Sequence, residues 1–134
     1  MIWVIDTSAL VRLFIPDGPV HPDVEAAFRR VAVGADSILA PQLLLAEATN
    51  VILRKQRRGE LSAEELRELL PAIEALPIRY FEHELLLLPA AELALTHGLT
   101  AYDALYLALA ERHTARLLTC DEQLDKVARH IGLA

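Results

Sequence analysis

The fold class of this chain is decided by residues 2–11, which read IWVIDTSALV. Residues 2–5 are a short, continuously apolar run, which is typical of a strand buried in a parallel sheet. Asp6, Thr7 and Ser8 follow it directly and offer cap residues for a helix that begins at Ala9. A strand that turns at once into a helix is the start of a crossover unit, so the sequence predicts an α/β fold.

The rest of the chain continues this alternation of strands and helices. Three more strands are predicted at residues 37–40, 78–81 and 116–119. Further helices are predicted over residues 22–33, 42–58, 62–75, 82–96 with a break at Pro89, 100–113 and 121–130. The sequence contains no repeat, low-complexity tract or linker, so we expect a single domain over residues 1–134. In that domain, helices cover both faces of a mostly parallel sheet.

Composition excludes several protein classes. With 134 residues and 54% hydrophobic side chains, the chain is not intrinsically disordered and can bury a core without disulfide or zinc staples. One cysteine, Cys120, excludes a disulfide framework and fits a reducing cytoplasm. The longest apolar runs, such as residues 85–91, are far shorter than the roughly 20 residues that span a bilayer. We therefore expect a cytoplasmic protein that does not bind membranes.

Four acidic residues fall where chemistry gathers in such folds, beyond the carboxyl ends of the strands. Asp6 follows the first strand, Asp121 lies just past the last one, Asp103 is in the first turn of its helix, and Glu47 follows the second strand. Carboxylates brought close together repel one another, and a hard cation such as Mg²⁺ or Mn²⁺ removes that conflict. The absence of a His/Cys ligand set argues against zinc.

Each of these acids also has a purely structural interpretation. Asp6 and Asp121 are natural N-caps, and Asp103 is the partner of Thr100 in a pattern that resembles a capping box. Glu47 could lie on a solvated helical face, although apolar residues flank it closely. Only the joint placement of the four acids at one edge of a sheet points to a functional site.

Four segments together resemble the PIN-domain nucleases, in particular the VapC-type toxins of bacterial and archaeal VapBC toxin–antitoxin pairs. The segments are Asp6-Thr7-Ser8, Glu47-Ala48-Thr49-Asn50, LTAYDALY at residues 99–106, and Leu118-Thr119-Cys120-Asp121. The resemblance covers essentially the whole chain and implies a three-layer α/β/α domain with a sheet of four to five strands. Because the sequence stops at IGLA, residues 131–134, we expect the fifth strand of the family to be very short or missing.

The resemblance implies a metal-dependent ribonuclease that cleaves single-stranded RNA and is held in check by a cognate VapB-like antitoxin. It implies that Mg²⁺ or Mn²⁺ is bound by the four acids, Asp6, Glu47, Asp103 and Asp121. It also implies that polar side chains support these carboxylates or touch the substrate, namely those of Thr7, Ser8, Asn50 and Thr119. Such toxins are commonly homodimers, and we expect a homodimer here.

One dense basic cluster ends the helix that carries Glu47. Its cationic members are Arg54, Lys55, Arg57 and Arg58. They could simply complement the helix dipole, or they could grip RNA phosphates beside the acids. The net charge of −6 argues against a nucleic acid as partner, but setting the four acids aside leaves fifteen acidic against thirteen basic residues.

Tyr102 and Tyr106, four residues apart on one helix, are expected to pack in the core. A receiver-like phosphoacceptor domain needs an acidic pair after the first strand, where this chain has Asp6 alone. A catalytically inactive PIN-fold binding partner stays open, although the presence of all four acids speaks against it.

Overall fold

The computed structural model describes residues 1–134 and contains four strands and seven α-helices. The strands are β1 (Ile2–Ile5), β2 (Ser37–Pro41), β3 (Ile78–Phe81) and β4 (Arg116–Leu118). The helices are α1 (Thr7–Val11), α2 (Val24–Ala32), α3 (Leu43–Arg57), α4 (Ala63–Glu74), α5 (Leu87–His97), α6 (Ala101–His113) and α7 (Glu122–His130). A short 3-10 turn, Glu84–Leu86, precedes α5.

The four strands form one parallel sheet in the order β3-β2-β1-β4. In the register, Val4 of β1 lies opposite Leu39 of β2 on one side and Leu117 of β4 on the other. β2 pairs with one side of β1 and β3 pairs with β2, while β4 pairs with the other side of β1. The strand order therefore reverses beside β1, and the crevice at the carboxyl ends of β1 and β4 is where ligands bind in such sheets. The predicted α/β class, with a parallel sheet inside a three-layer fold, is confirmed.

The hydrophobic core is one cluster of 27 buried residues centred on α6. Seven consecutive residues of this helix, Ala104–Ala110, are buried, and the helix contacts α5 and the strands β1, β2 and β4. A helix that is apolar on all sides is stable only when other elements surround it. The first turns of α6 are thereby fixed against the sheet, at the edge where Asp103 lies.

The start of α5 differs from the prediction. The sequence favoured a helix over residues 82–96 with a break at Pro89, but α5 begins at Leu87 and continues through Pro89. In this position Pro89 lies in the first turn, where a backbone N–H would have no partner within the helix. The helical segment is interrupted earlier, at the 3-10 turn Glu84–Leu86, so the prediction of a break at Pro89 is wrong.

The carboxyl-terminal residues form no strand, as expected. Residues 131–134 follow α7, and the N–H of Leu117 in β4 donates to the carbonyl of Leu133 over 2.7 Å. This single hydrogen bond occupies the free edge of β4, where a fifth strand would otherwise pair.

No single helix is long and apolar enough to cross a bilayer, and the segments Glu84–His97 and Ala101–His113 reach that length and hydropathy only as a pair bent by 113°.

Candidate active site

An open cavity of about 490 Å³ lies at the carboxyl ends of β1 and β4. All four predicted acids line it, namely Asp6, Glu47, Asp103 and Asp121. Three of the four predicted supporting residues, Thr7, Ser8 and Asn50, also line it, together with Arg12, Asp17, Arg54 and Tyr106. Residues from four separate segments therefore meet at one place, because the parallel strands deliver the following helices to the same edge of the sheet.

Asp6 is held by hydrogen bonds to both of its carboxylate oxygens. Oδ1 accepts the N–H of Ala9 over 2.9 Å, as an N-cap of α1, and the hydroxyl of Ser8 over 2.7 Å. Oδ2 accepts the hydroxyl of Thr119. Burial raises the pKa of Asp6 to about 6, although the hydrogen bonds from Thr119, Ala9 and Ser8 act to lower it. The capping interpretation of Asp6 is confirmed, and it coexists with a place in the cavity.

Glu47 is oriented by two hydroxyl groups. Its Oε1 accepts the hydroxyl of Tyr106 over 2.6 Å and that of Thr7 over 2.9 Å, and these two hydroxyls are 3.0 Å apart. Tyr106 is only 1% exposed, and its burial, with the bond to Glu47, raises the pKa of the phenol above its ordinary range. The phenol therefore remains a proton donor, and Oε2 of Glu47 is left without an intramolecular hydrogen bond.

Asp121 and Asp103 are less constrained. Oδ1 of Asp121 caps α7 by accepting the N–H of Leu124 over 2.8 Å. The N–H of Asp103 donates to the hydroxyl oxygen of Thr100 over 3.2 Å, but the Asp103 carboxylate makes no return bond and stays in the cavity. The predicted capping-box pattern is therefore only half formed. Burial, followed by the negative charges of Asp121 and Glu47, raises the pKa of Asp103.

The four carboxylates form a donor set that a hydrated divalent cation suits. The charge of Asp103 raises the pKa of Asp6, and Asp103 is itself opposed by two other acids, so the set carries unrelieved repulsion. No three carboxylate, imidazole or thiol groups lie close enough together to ligate a single ion directly. Mg²⁺ keeps several waters and takes only one or two protein carboxylates, so the arrangement fits an ion of this kind.

The basic cluster divides between several environments. Arg54 lines the cavity, seven residues beyond Glu47 on α3. Lys55 is 7% exposed, and its ammonium pairs with the carboxylates of Asp17 and Glu60, which raises its pKa through the bond to Asp17 above all. Arg57 and Arg58 are exposed and lie outside the cavity lining. The structure thus leaves Arg54 as the one member of this cluster beside the acids, and Lys55 is not available to a phosphate.

Three polar residues line the cavity that the sequence did not indicate, and one tyrosine lies outside the core in which it was expected. Tyr106 is buried as expected, but its hydrogen bond to Glu47 was not foreseen, and Tyr102 is 60% exposed rather than in the core. Arg12 and Asp17 line the cavity although neither belongs to a recognised motif. The only sequence signal for Arg12 was its position six residues after Asp6, at the end of α1.

The similarity to known proteins extends over nearly the whole chain. The family model of the PIN domain matches residues 3–130. Ribonuclease VapC3 from Pyrobaculum aerophilum is 37% identical over 125 residues, which are 90% of this chain and 90% of that protein.

Two solved structures share the fold. The Pyrobaculum aerophilum protein PAE2754 superimposes with a TM-score of 0.70 and 24% identity, over 93% of this chain and 78% of that chain. VapC20 from Mycobacterium tuberculosis, described as a toxin that cleaves the sarcin–ricin loop, superimposes with a TM-score of 0.64 and 17% identity, over 92% and 93% of the two chains. At these identities the two structures speak for the fold alone.

Proposed function

Since the chain belongs to the PIN-domain family, we propose that it is a divalent-metal-dependent endoribonuclease that cleaves phosphodiester bonds of single-stranded RNA. The observation that carries the proposal is the meeting of four acids from four segments, Asp6, Glu47, Asp103 and Asp121, in one open cavity. The 37% identity to a protein named as a ribonuclease supports the same activity.

In this proposal the four acids hold hydrated Mg²⁺ or Mn²⁺, at most two of them as direct ligands and the others through the waters of the ion. When bound, such an ion lowers the pKa of a water molecule and neutralises the negative charge that builds up on a phosphodiester under attack. Zinc is disfavoured because the cavity lining contains no histidine or cysteine.

The other polar residues of the cavity hold the acids in place. Ser8 and Thr119 restrain Asp6, while Thr7 and Tyr106 restrain Glu47 through one oxygen and leave the other free. Carboxylates that are oriented before the substrate arrives need little reorganisation during the reaction. Asn50, exposed and one turn beyond Glu47, is assigned to substrate contact.

We further propose that the protein is the toxin of a VapBC-type pair, with a VapB-like antitoxin as its partner. Five acids and two arginines line the cavity, so its charge suits a basic side chain of an inhibiting segment. The homodimer also remains a proposal. It is supported by four exposed leucines near the start and along the length of α5, namely Leu85, Leu87, Leu88 and Leu95. A cytoplasmic location stays a prediction.

The test is a cleavage assay on a panel of single-stranded RNAs with Mg²⁺, Mn²⁺ or EDTA. We expect cleavage with either metal, none with EDTA, and a loss of activity in Asp6→Asn and Asp103→Asn. Glu122→Gln is the matched control, because Glu122 is an exposed acid next to Asp121 that does not line the cavity.

Two outcomes would contradict the proposal. Cleavage that persists in EDTA or in Asp103→Asn would exclude the metal mechanism. Failure to cleave any RNA, together with no Mg²⁺ binding by calorimetry, would favour the inactive binding partner. The receiver-like alternative gains no support, because no acid from β3 or from the segment after it lines the cavity.

A further inference from the structure

Two arginines in the cavity have no acidic partner. Arg12 and Arg54 both line it, and neither takes part in an ion pair, although five carboxylates line the same cavity. We propose that Arg12 and Arg54 together bind a backbone phosphate of the RNA adjacent to the phosphate that is cleaved. The inference rests on the proposed ribonuclease function and adds to it a second anion site.

The two arginines follow two of the acids at similar separations along the chain. Arg12 comes six residues after Asp6 at the end of α1, and Arg54 comes seven residues after Glu47 on α3. At about 1.5 Å of rise per residue, each guanidinium group is carried on backbone roughly 10 Å beyond its acid. Because α1 and α3 contact each other and begin at the same edge of the sheet, both arginines lie further along these helices than Asp6 and Glu47 and line the same cavity.

Arg12 is held in place by the loop that follows α1. Its Nη1 donates to the carbonyl of Pro19 over 3.4 Å. Its Cζ lies 3.2 Å from the point that a Cβ would occupy at Gly18, so any larger residue there would push against the guanidinium. Glycine at residue 18 therefore leaves room for the guanidinium of Arg12, which would have to move by a few tenths of an ångström to accommodate a Cβ there.

Asp17 is the one acid of this loop that lines the cavity, and a lysine neutralises it. Asp17 lines the cavity next to Gly18, but its carboxylate pairs with the buried ammonium of Lys55, which also pairs with Glu60 over 3.3 Å. Arg12 and Arg54 are therefore free to bind an anion from outside. A guanidinium presents a planar set of donors that matches a phosphate, and RNA supplies such a phosphate on either side of the one being cleaved.

The test measures RNA binding without cleavage. A fluorescently labelled single-stranded RNA oligonucleotide is titrated with protein in EDTA at several salt concentrations, and fluorescence anisotropy gives Kd. We expect Arg12→Gln and Arg54→Gln each to weaken Kd about tenfold and to reduce the slope of log K against log salt by about 0.7. Arg58→Gln is the control, since it removes the same charge from an exposed arginine outside the cavity.

A second variant changes the surroundings of the Arg12 guanidinium without removing its charge. Gly18→Ala keeps both arginines but crowds the guanidinium of Arg12, so it should weaken RNA binding less than Arg12→Gln and more than Arg58→Gln. In cleavage assays with metal, the cleavage rate of Arg12→Gln should approach that of the wild-type protein as the RNA is shortened towards a dinucleotide. A dinucleotide has only the phosphate that is cleaved.

The results distinguish the proposed ribonuclease function from the proposed phosphate site. If the wild-type protein neither binds nor cleaves RNA, the proposed function is wrong and this inference with it. If it cleaves RNA while Arg12→Gln, Arg54→Gln and Arg58→Gln weaken Kd equally, the arginines contribute only general charge, and the phosphate site alone is overturned.

Discussion

The hydroxyl of Tyr106 donates a 2.6 Å hydrogen bond to Oε1 of Glu47, and this bond joins α6 to α3 at the wall of the cavity. The same oxygen accepts the hydroxyl of Thr7, which comes directly after β1 and Asp6. Three elements of the fold thus meet at one carboxylate oxygen. Because Tyr106 is almost fully buried, the orientation of Glu47 depends on the packing of the core.

Removal of this hydroxyl should affect both stability and catalysis. In Tyr106→Phe, Glu47 loses one of two donors, and we expect a free energy of unfolding about 1–2 kcal/mol lower in urea denaturation. The kcat for RNA cleavage should fall about tenfold, with a smaller change in KM, since the phenol is 1% exposed and acts by orienting Glu47. Tyr102→Phe is the control, because Tyr102 is 60% exposed on the same helix. Unchanged kcat in a destabilised Tyr106→Phe would restrict the hydroxyl to a structural role.

The role of Tyr106 shows what periodicity in a sequence does and does not determine. The apolar residues around it predicted a buried helix, and the seven buried residues Ala104–Ala110 agree. Its partner Glu47 lies 59 residues earlier, on a helix whose rotation and height relative to α6 are set by packing. Four acids at one sheet edge followed from strand order, whereas the hydrogen bonds between them and their supports depended on tertiary contacts.

The raised pKa of Asp103 shows that burial beside other acids disfavours its ionised form. Burial and the charges of Asp121 and Glu47 raise its pKa, so its ionised form is disfavoured in the metal-free protein. We expect Asp103→Asn to raise the free energy of unfolding in EDTA by about 0.5 kcal/mol, a small value because the site is open to solvent. Mg²⁺ should raise the Tm of the wild-type protein and have little effect on the variant.

Thermal unfolding with and without Mg²⁺ measures the stability of Asp103→Asn without metal and the shift in Tm that Mg²⁺ causes. Glu122→Gln, which removes an exposed acid outside the cavity, should respond to Mg²⁺ as the wild-type protein does. Equal stabilisation of Asp103→Asn and wild type by Mg²⁺ would show that Asp103 does not contribute to the metal site.

Lys55 connects the loop after α1 to α3. Replacement by Met leaves the carboxylates of Asp17 and Glu60 without their shared partner, and we expect a loss of about 1–2 kcal/mol, since both acids remain about half exposed. Asp17 would then compete for Arg12 and Arg54, so RNA affinity should fall as well. Lys126→Met removes the only other lysine, which is exposed on α7, and should change neither quantity. A stable Lys55→Met with normal RNA affinity would contradict this assignment.

The sequence could not show which members of the basic cluster reach the cavity, because that depends on the rotation of α3 and on where the helix ends. Arg54 shares a face with Glu47, while Lys55 is rotated by about 100° and meets the loop of Asp17 instead. Arg58 would return to the face of Arg54, but α3 ends at Arg57. The loop after α1 carries no periodic pattern, so its contribution of Asp17 to the cavity had no sequence signal.

Asp36, far from the cavity at the amino end of β2, provides a test of pH dependence. Its Oδ2 accepts the indole N–H of Trp3 over 2.9 Å and the guanidinium Nε of Arg30 over 3.0 Å. These contacts, the Trp3 bond first, hold the pKa of Asp36 at about 2, below its ordinary value of 3.8. Because the folded-state pKa is the lower one, the carboxylate stabilises the fold fully above about pH 4, and this contribution is lost as the pH falls towards 2.

Asp36→Asn should therefore be less stable than the wild-type protein at neutral pH, and the difference should narrow between pH 4 and pH 2. Urea denaturation across this range, followed by circular dichroism, measures it, and Asp23→Asn is the control because Asp23 is exposed and forms no ion pair. If the difference between Asp36→Asn and wild type stayed constant down to pH 2, the ionised form of Asp36 would not be what stabilises the fold. The loss would then come from the replacement of an acceptor oxygen by an NH2 group, since Asp and Asn have nearly the same shape and both oxygens of Asp36 accept hydrogen bonds.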